Sequence, residues 1–258
     1  MEQNNNSGAA RTLDNKLVLI TGGASGLGFA CAHLFVQRGA RVLIIGRDQQ
    51  KLSDACNTLG VDSAFYVVGD VADSNCAQKA VTYAHDHLKS PVDILINNAG
   101  TILREHATST SDQQWQNVMN VNVNGVFYFS RAVAQQIQNG GAIVNVSSTC
   151  GSVGSAGLAA YCASKGAVNL LTKSMALELA ERNINVNAVA PGAINSPMLF
   201  AKHAQGVNPN AVIEQNRAAI PLGELAEPNE VARAVLFLAT EKHITGVVLP
   251  IDGGYTAA

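Results

Sequence analysis

The stretch "KLVLITGGASGLG", residues 16–28, decides the fold. It opens on an aliphatic run of strand length. Glycines follow at 22, 23, 26 and 28, just before the helix-periodic segment Gly28–Arg38. Glycine permits a tight turn and lets the main chain come close to a ligand. The unpaired N–H groups and positive dipole end of the following helix favour an anion such as a pyrophosphate. A glycine cluster alone is as readily a plain turn. Between a strand and a helix it points to dinucleotide binding, with Gly22, Ser25, Gly26, Leu27 and Gly28 forming the cradle. The spacing is Gly-x-x-x-Gly-x-Gly rather than the commoner Gly-x-Gly-x-x-Gly.

Outward from this turn, aliphatic or β-branched runs recur at 16–20, 41–46, 64–70, 92–100, 142–148, 183–192 and 246–254. Segments of helical length with apolar spacing near 3.6, such as Gln49–Leu59 and Asn75–Leu88, lie between them. Such alternation predicts right-handed βαβ units and an α/β fold, a doubly wound parallel sheet covered on both faces. No linker or repeat interrupts it, so residues 14–258 read as a single domain after a flexible polar tail, 1–13, that lacks a signal-peptide core. Ser111–Gln138 reads as one long helix capped by Ser111, with a local distortion at Asn122–Gly125.

Composition narrows the function. The chain has 258 residues, 47% apolar and 14% charged, with a net charge of −2 and no Lys/Arg-rich run. That is a globular composition, and it argues against a nucleic-acid or anionic-membrane partner. The five cysteines (31, 56, 76, 150, 162) are scattered without a Cys-x-x-Cys, as expected of buried thiols in a reducing cytoplasm. The six histidines form no His-x-x-x-His pair, so no catalytic metal is expected. Residues 153–171 are apolar enough to mimic a membrane span. Lys165 at the centre, beside Gly154, Gly157 and Gly166, predicts a buried helix carrying a functional group instead.

That charge has a partner. Tyr161 and Lys165 lie four positions apart and share one helical face. A free phenol, with a pKa of about 10, is a poor proton relay near neutrality. An adjacent ammonium would lower that value towards the useful range. Thirteen positions before Tyr161, Ser148 ends a strand, where its hydroxyl could bond the same carbonyl oxygen. At the end of the second strand stands Gly46-Arg47-Asp48. Gly46 cannot chelate a ribose, whereas Arg47 offers a forked, permanent charge to a 2′-phosphate, which favours NADP(H) over NAD(H). Asp48 reads as the N-cap of the next helix.

The glycine turn, Asn97-Asn98-Ala99-Gly100, Asn122, Ser148, Tyr161-x-x-x-Lys165 and Pro191-Gly192-Ala193-Ile194 occur in that order. Together they resemble the single-domain short-chain dehydrogenases/reductases from about residue 14 onwards. The resemblance implies a seven-stranded Rossmann-like sheet and hydride transfer between nicotinamide and a ketone or secondary alcohol. It implies Tyr161 as general acid/base, and Lys165 lowering its pKa and holding the nicotinamide ribose. Ser148 would polarise the carbonyl, and Asn122 would hold a water linking Lys165 to solvent. Asp70 and Val71 would flank the adenine, Asn98, Ala99 and Gly100 the cofactor's centre, and Pro191, Gly192, Ile194 and Ser196 the nicotinamide end. Serine at 196 replaces the family's commoner threonine and keeps its hydroxyl. A homotetramer is implied, joined through the long helix and the helix bearing Tyr161.

Substrate identity stays open among small ketones, sugars or polyols, and cyclic alcohols. Pro197–Ile220 reads either as a lid, with Met198, Leu199, Phe200, Val207, Val212 and Ile213 apolar, or as an ordinary surface helix. Residues 149–154 and 101–106 would complete the pocket, with Arg104 and His106 available to a polar or acidic substrate. The stretch "AVAQQIQNGG", 132–141, has no cation for a carrier protein. Two rival functions are a serine–lysine hydrolase using Ser148, which lacks a Gly-x-Ser-x-Gly elbow, and a non-catalytic dinucleotide sensor on the same fold.

Overall fold

The computed structural model describes residues 13–137, 140–200 and 208–257. The strands are Leu17–Thr21 (β1), Arg41–Gly46 (β2), Ala64–Val68 (β3), Ile94–Asn97 (β4), Ala142–Val146 (β5), Asn185–Pro191 (β6) and Val248–Ile251 (β7). All pair in parallel in one sheet, in the order β3-β2-β1-β4-β5-β6-β7. Helices Gly26–Gln37 (α1), Gln49–Leu59 (α2), Ser74–Asp86 (α3), Asp112–Met119 (α4), Gly125–Gln136 (α5) and Ala159–Leu179 (α6) connect them. Pro197–Phe200 (α7), Pro209–Ala219 (α8) and Pro228–Thr240 (α9) follow before β7.

The strands read as unbroken aliphatic runs because both faces of the sheet are covered. In β1, Val18 and Ile20 enter one core with Leu27 and Phe35 of α1, Leu52 of α2 and Val235 of α9. Leu17 and Leu19 enter the other with Ala80 of α3, Phe129 of α5 and Met175 of α6. Alternate residues therefore face opposite apolar layers, and no position on β1 can be polar without a partner. Strand order reverses at β1, which is flanked by β2 and β4. The crevice at their carboxyl ends is where a doubly wound sheet binds ligands.

Three expectations change in detail. The helix read over Ser111–Gln138 is two helices joined by one π turn, Asn120–Asn124, closed by the Gly125 N–H bonding to the Asn120 carbonyl. The expected distortion at Asn122–Gly125 is this turn. Ser111 caps α4 with a capping box to Gln114, the last residue of α5 is Gln136, and Gln138 lies outside the described residues. The helix expected within 153–171 begins only at Ala159. Residues 152–158 are irregular because Gly157 takes φ +74°, a left-handed conformation that stops a helix from extending backwards. The tail 1–13 lies outside the described residues except for Leu13, which is buried and donates its N–H to the Arg38 carbonyl. Among the described residues, no helix is long and apolar enough to cross a membrane.

Candidate active site

The cleft forms where the glycine turn meets the segment after β4. Gly22 takes φ +67° there, and a Cβ on Gly28 would lie 2.2 Å from the Gly22 carbonyl oxygen. Only glycine fits either position. The turn is tied across the crevice: the Asn98 side-chain amide donates to the carbonyls of Thr21 (3.0 Å) and Gly22 (3.1 Å). In return the Thr21 hydroxyl accepts the main-chain N–H groups of Asn98 and Ala99, each at 3.0 Å. Both Asn98 amide protons are thus engaged in bracing the loop. Leu27 is buried in the core and lends only main chain to the cleft. Ser25, the N-cap of α1, is exposed and its hydroxyl makes no capping bond. The start of α1 thus presents unpaired N–H groups and a hydroxyl beside a turn kept clear of side chains, a cradle that fits a pyrophosphate.

The other ends of the proposed cofactor track lie around this turn. Arg47 stands 78% exposed at the end of β2, 3.9 Å from the Asp70 carboxylate. Asp48 caps α2 by accepting the Lys51 N–H at 3.1 Å, as read from the sequence. Val71 is buried against Gly125 of the π-turn junction. Pro191 ends β6, and its carbonyl accepts the Ser148 hydroxyl at 3.4 Å. The Gly192 N–H bonds the Ile251 carbonyl at 3.1 Å, and Ile194 bridges Ala226. A Cβ on Gly26 would lie 3.7 Å from Ser196 and from Pro197, which brings the chain after β6 against the glycine turn.

Lys165 and Asn122 meet beside Gly100, and Ser148 and Tyr161 are buried near them. Ser148 follows β5 and caps a short 3-10 turn, Thr149–Gly151, by accepting the Cys150 N–H at 3.2 Å. Tyr161 is 8% exposed, and its phenol lies close enough to the Ser148 side chain for that hydroxyl to favour the phenolate. Lys165, 4% exposed one helical turn on, donates to the Val146 carbonyl at 2.7 Å, not to Ser148, which removes the geometry of a serine–lysine dyad. A Cβ on Gly100 would lie 3.4 Å from Asn122 Oδ1 and 3.7 Å from Lys165 Nζ. Asn122 itself accepts the Thr101 N–H (2.8 Å) and donates to the Thr101 carbonyl (2.8 Å) and the Ser164 hydroxyl (3.0 Å). With both amide protons engaged, its side chain locks the π turn to the loop after β4 and to α6.

The electrostatics correct one expectation. Burial pushes the Tyr161 phenol up to about 12, and the bond with Ser148 and the Arg104 charge only partly oppose this. Lys165 does not bring it down: its Nζ sits 5.6 Å from the Tyr161 ring centre and points at a strand carbonyl. Burial also lowers the ammonium to about 8. A phenolate in this apolar wall is disfavoured more strongly than a lysine turned away from it can compensate.

Sequence reasoning missed the scaffold beneath these groups. Asn97 and Asn145, paired in register on β4 and β5, are linked at 2.9 Å, and Asn97 also donates to Ser130. Asn145 donates to Thr172 of α6, and the Ser147 hydroxyl donates to the Lys165 carbonyl at 3.2 Å. Asn97, Asn145, Ser130 and Thr172 are at most 1% exposed. The available signal was asparagine inside otherwise aliphatic strands, a residue that a strand buries only with partners.

On the substrate side, α7 and α8 occupy the region read as a lid. Met198 and Phe200 are partly exposed, Leu199 is buried, and α8 buries only Val212. Val207 falls in 201–207, outside the described residues. Arg104 reaches α7, its Nη2 donating to the Leu199 carbonyl at 3.3 Å. His106 is exposed beyond it.

Comparison with known proteins agrees with this geometry. The family model described as "Enoyl-(Acyl carrier protein) reductase" matches residues 22–256. A galactitol 2-dehydrogenase (L-tagatose-forming) of Cereibacter sphaeroides is 37% identical over 95% of this chain and 96% of its own. An NADP-dependent (R)-specific alcohol dehydrogenase of Lentilactobacillus kefiri is 35% identical over 95% and 98%. A crystal structure from Brucella melitensis, titled short-chain dehydrogenase/reductase SDR: glucose/ribitol dehydrogenase, superposes with a TM-score of 0.88. It is 27% identical, covering 95% of this chain and 98% of that one. A glycine turn at the switch point, a seven-stranded parallel sheet and relatives matched end to end leave one assignment: the chain belongs to the short-chain dehydrogenase/reductase family.

Proposed function

We propose that this enzyme is an NADP(H)-dependent oxidoreductase interconverting a ketone and a secondary alcohol, with Tyr161 as the general acid/base. The observation that carries this reading is the burial of Ser148, Tyr161 and Lys165 together, with the Ser148 hydroxyl near enough to favour the Tyr161 phenolate and Lys165 one helical turn on. The cradle of Gly22, Ser25, Gly26, Leu27 and Gly28 would hold the pyrophosphate. Asp70 and Val71 would lie at the adenine, Ala99 and Gly100 at the centre, and Pro191, Gly192, Ile194 and Ser196 at the nicotinamide. A bound nicotinamide supplies or accepts the hydride.

In reduction Tyr161 gives its proton to the carbonyl oxygen, and Ser148 donates a second hydrogen bond to the same atom. Burial raises the phenol further above neutrality, so Tyr161 starts the reduction step with the proton that the carbonyl oxygen receives. Lys165, while charged, favours the phenolate left behind once its Nζ turns from the Val146 carbonyl towards the cleft. Asn122 acts by fixing the π turn, and any water on the path to solvent would be held by its remaining lone pair or by main chain.

Arg47 supports NADP(H): it is exposed, only loosely paired with Asp70, and no longer competes with Asp48, which is engaged as a cap. A homotetramer is supported by exposed apolar side chains on α4, α5 and α6, namely Trp115, Phe127, Leu170 (69% exposed) and Leu177 (81% exposed). A cytoplasmic location fits five free thiols. Turnover of a panel of ketones and alcohols, followed at the absorbance of reduced nicotinamide with each cofactor, tests the reaction. Tyr161→Phe is expected to lower turnover roughly a hundredfold or more while the cofactor still binds. Tight cofactor binding without any turnover would favour the sensor reading. Arg47→Ala is expected to weaken NADPH about tenfold relative to NADH, and equal losses would overturn the NADP(H) preference.

A further inference from the structure

We infer that the substrate carries a carboxylate and that Arg104 receives it, a proposal that rests on reading the cleft as the oxidoreductase site. Arg104 lies on the segment leaving β4, and this segment is fastened to the chain just before α6. The Glu105 N–H donates to the Gly157 carbonyl at 2.8 Å, Glu105 bridges Leu158, and Ile102 packs against Leu158 and Tyr161. The guanidinium is therefore held between the helix that carries the phenol and α7 on the opposite wall, where Nη2 meets the Leu199 carbonyl. Its charge is felt at both the Tyr161 phenol and the Cys150 thiol.

The guanidinium is short of partners. Arg104 is half-buried, its Nε is fully covered without a hydrogen bond, and no carboxylate pairs with it among the described residues. Nor do the neighbouring described segments supply one: residues 149–158, 197–200 and 208–213 contain no aspartate or glutamate. Glu105 is the nearest acid in the chain, but its Oε1 accepts the His106 N–H at 3.0 Å and it forms no ion pair with Arg104. A partly desolvated cation without a counterion is costly unless a ligand supplies the anion. The planar, permanently charged guanidinium matches a carboxylate better than it matches a neutral hydroxyl.

The test compares matched acids and amides. Mandelate and 3-hydroxybutyrate are each assayed beside mandelamide and 3-hydroxybutyramide, with wild type, Arg104→Gln and Arg104→Lys and either cofactor. In wild type the acid is expected to exceed its amide in kcat/KM by roughly tenfold to a hundredfold, mostly through KM. Arg104→Gln should collapse that ratio, and Arg104→Lys should restore part of it. A wild-type ratio at or below unity overturns the proposal, as does a ratio that Arg104→Gln leaves unchanged. The latter would mark Arg104 as only a strap for α7, lowering acid and amide alike. If none of the alcohols is oxidised while other secondary alcohols and ketones also fail, the oxidoreductase reading falls. Calorimetry of mandelate against mandelamide with the cofactor-loaded protein then decides the Arg104 proposal alone: selective mandelate binding that Arg104→Gln abolishes supports it, and no selectivity overturns it.

Discussion

On one wall of the cleft, Thr21 and Asn98 make four hydrogen bonds that pin the glycine turn to the loop after β4. On the facing wall, Arg104 keeps an unpartnered Nε, and α8 holds to the body through Val212. The wall proposed to hold the cofactor would have to present main-chain N–H groups at fixed positions, and its loops are closed by bonds that only a few residue types can make. The wall proposed to face the substrate has no such requirement. Its side chains can change with the ligand while the sheet stays the same. The contrast explains why relatives matched over the whole chain carry names for a sugar alcohol in one case and for a simple alcohol in another.

Breaking the closed wall should have the largest effect. In Gly28→Ala the new methyl would meet the Gly22 carbonyl and the Asn98 amide, which lies 2.5 Å from the ideal Cβ, so the turn must open. We expect a loss of about 3 kcal/mol, at the upper end of overpacking costs, together with loss of measurable cofactor binding. Urea unfolding and cofactor titration check both, and an unchanged affinity would mean that the turn is not the cradle.

The second prediction concerns the charge at the junction of the two walls. Burial lowers Lys165 from 10.5 to about 8, so between those values the unfolded chain holds a proton that the folded chain has released. Stability contributed through Lys165 must then rise as pH increases from 8 to 10.5, by on the order of 3 kcal/mol, and the full penalty of the buried ammonium applies below pH 8. Cys31, raised to about 12, and Cys56, Cys76 and Cys150, raised to about 11, all by burial, act in the opposite direction above pH 9. The difference between wild type and Lys165→Met isolates the lysine. A difference that stays flat with pH would mean that Lys165 is not desolvated.

The smallest effect belongs to the open wall. Val212→Ala removes the one buried side chain of α8 and should cost about 1 kcal/mol or less while leaving cofactor affinity unchanged. A loss as large as that of Gly28→Ala, measured by the same urea transition, would erase the distinction between the walls.

Much of the closed wall could be read residue by residue. The glycine spacing, the Tyr161–Lys165 interval and the Asp48 cap all depend on local periodicity, and the structure places each as read. Asn122 was legible as a helix-breaking position, but not as the group that ties Thr101 to Ser164, because those partners come from distant parts of the chain. The surroundings of Tyr161 are not legible for the same reason. The i, i+4 spacing puts the ammonium on the right face, but how deeply the phenol is buried and where the lysine points are set by β5 and the 3-10 turn.

By itself the sequence determined the alternation of strands and helices, the position of the glycine turn and the residues that share the α6 face, since these follow from periods of two and 3.6 and from where glycine is tolerated. Only the tertiary structure decided that Lys165 turns to the Val146 carbonyl, that Arg104 reaches α7, which side chains Asn97 and Asn145 donate to, and that burial raises the Tyr161 phenol. Those outcomes depend on desolvation and on hydrogen-bond partners far apart in the chain, and neither is encoded in any local spacing.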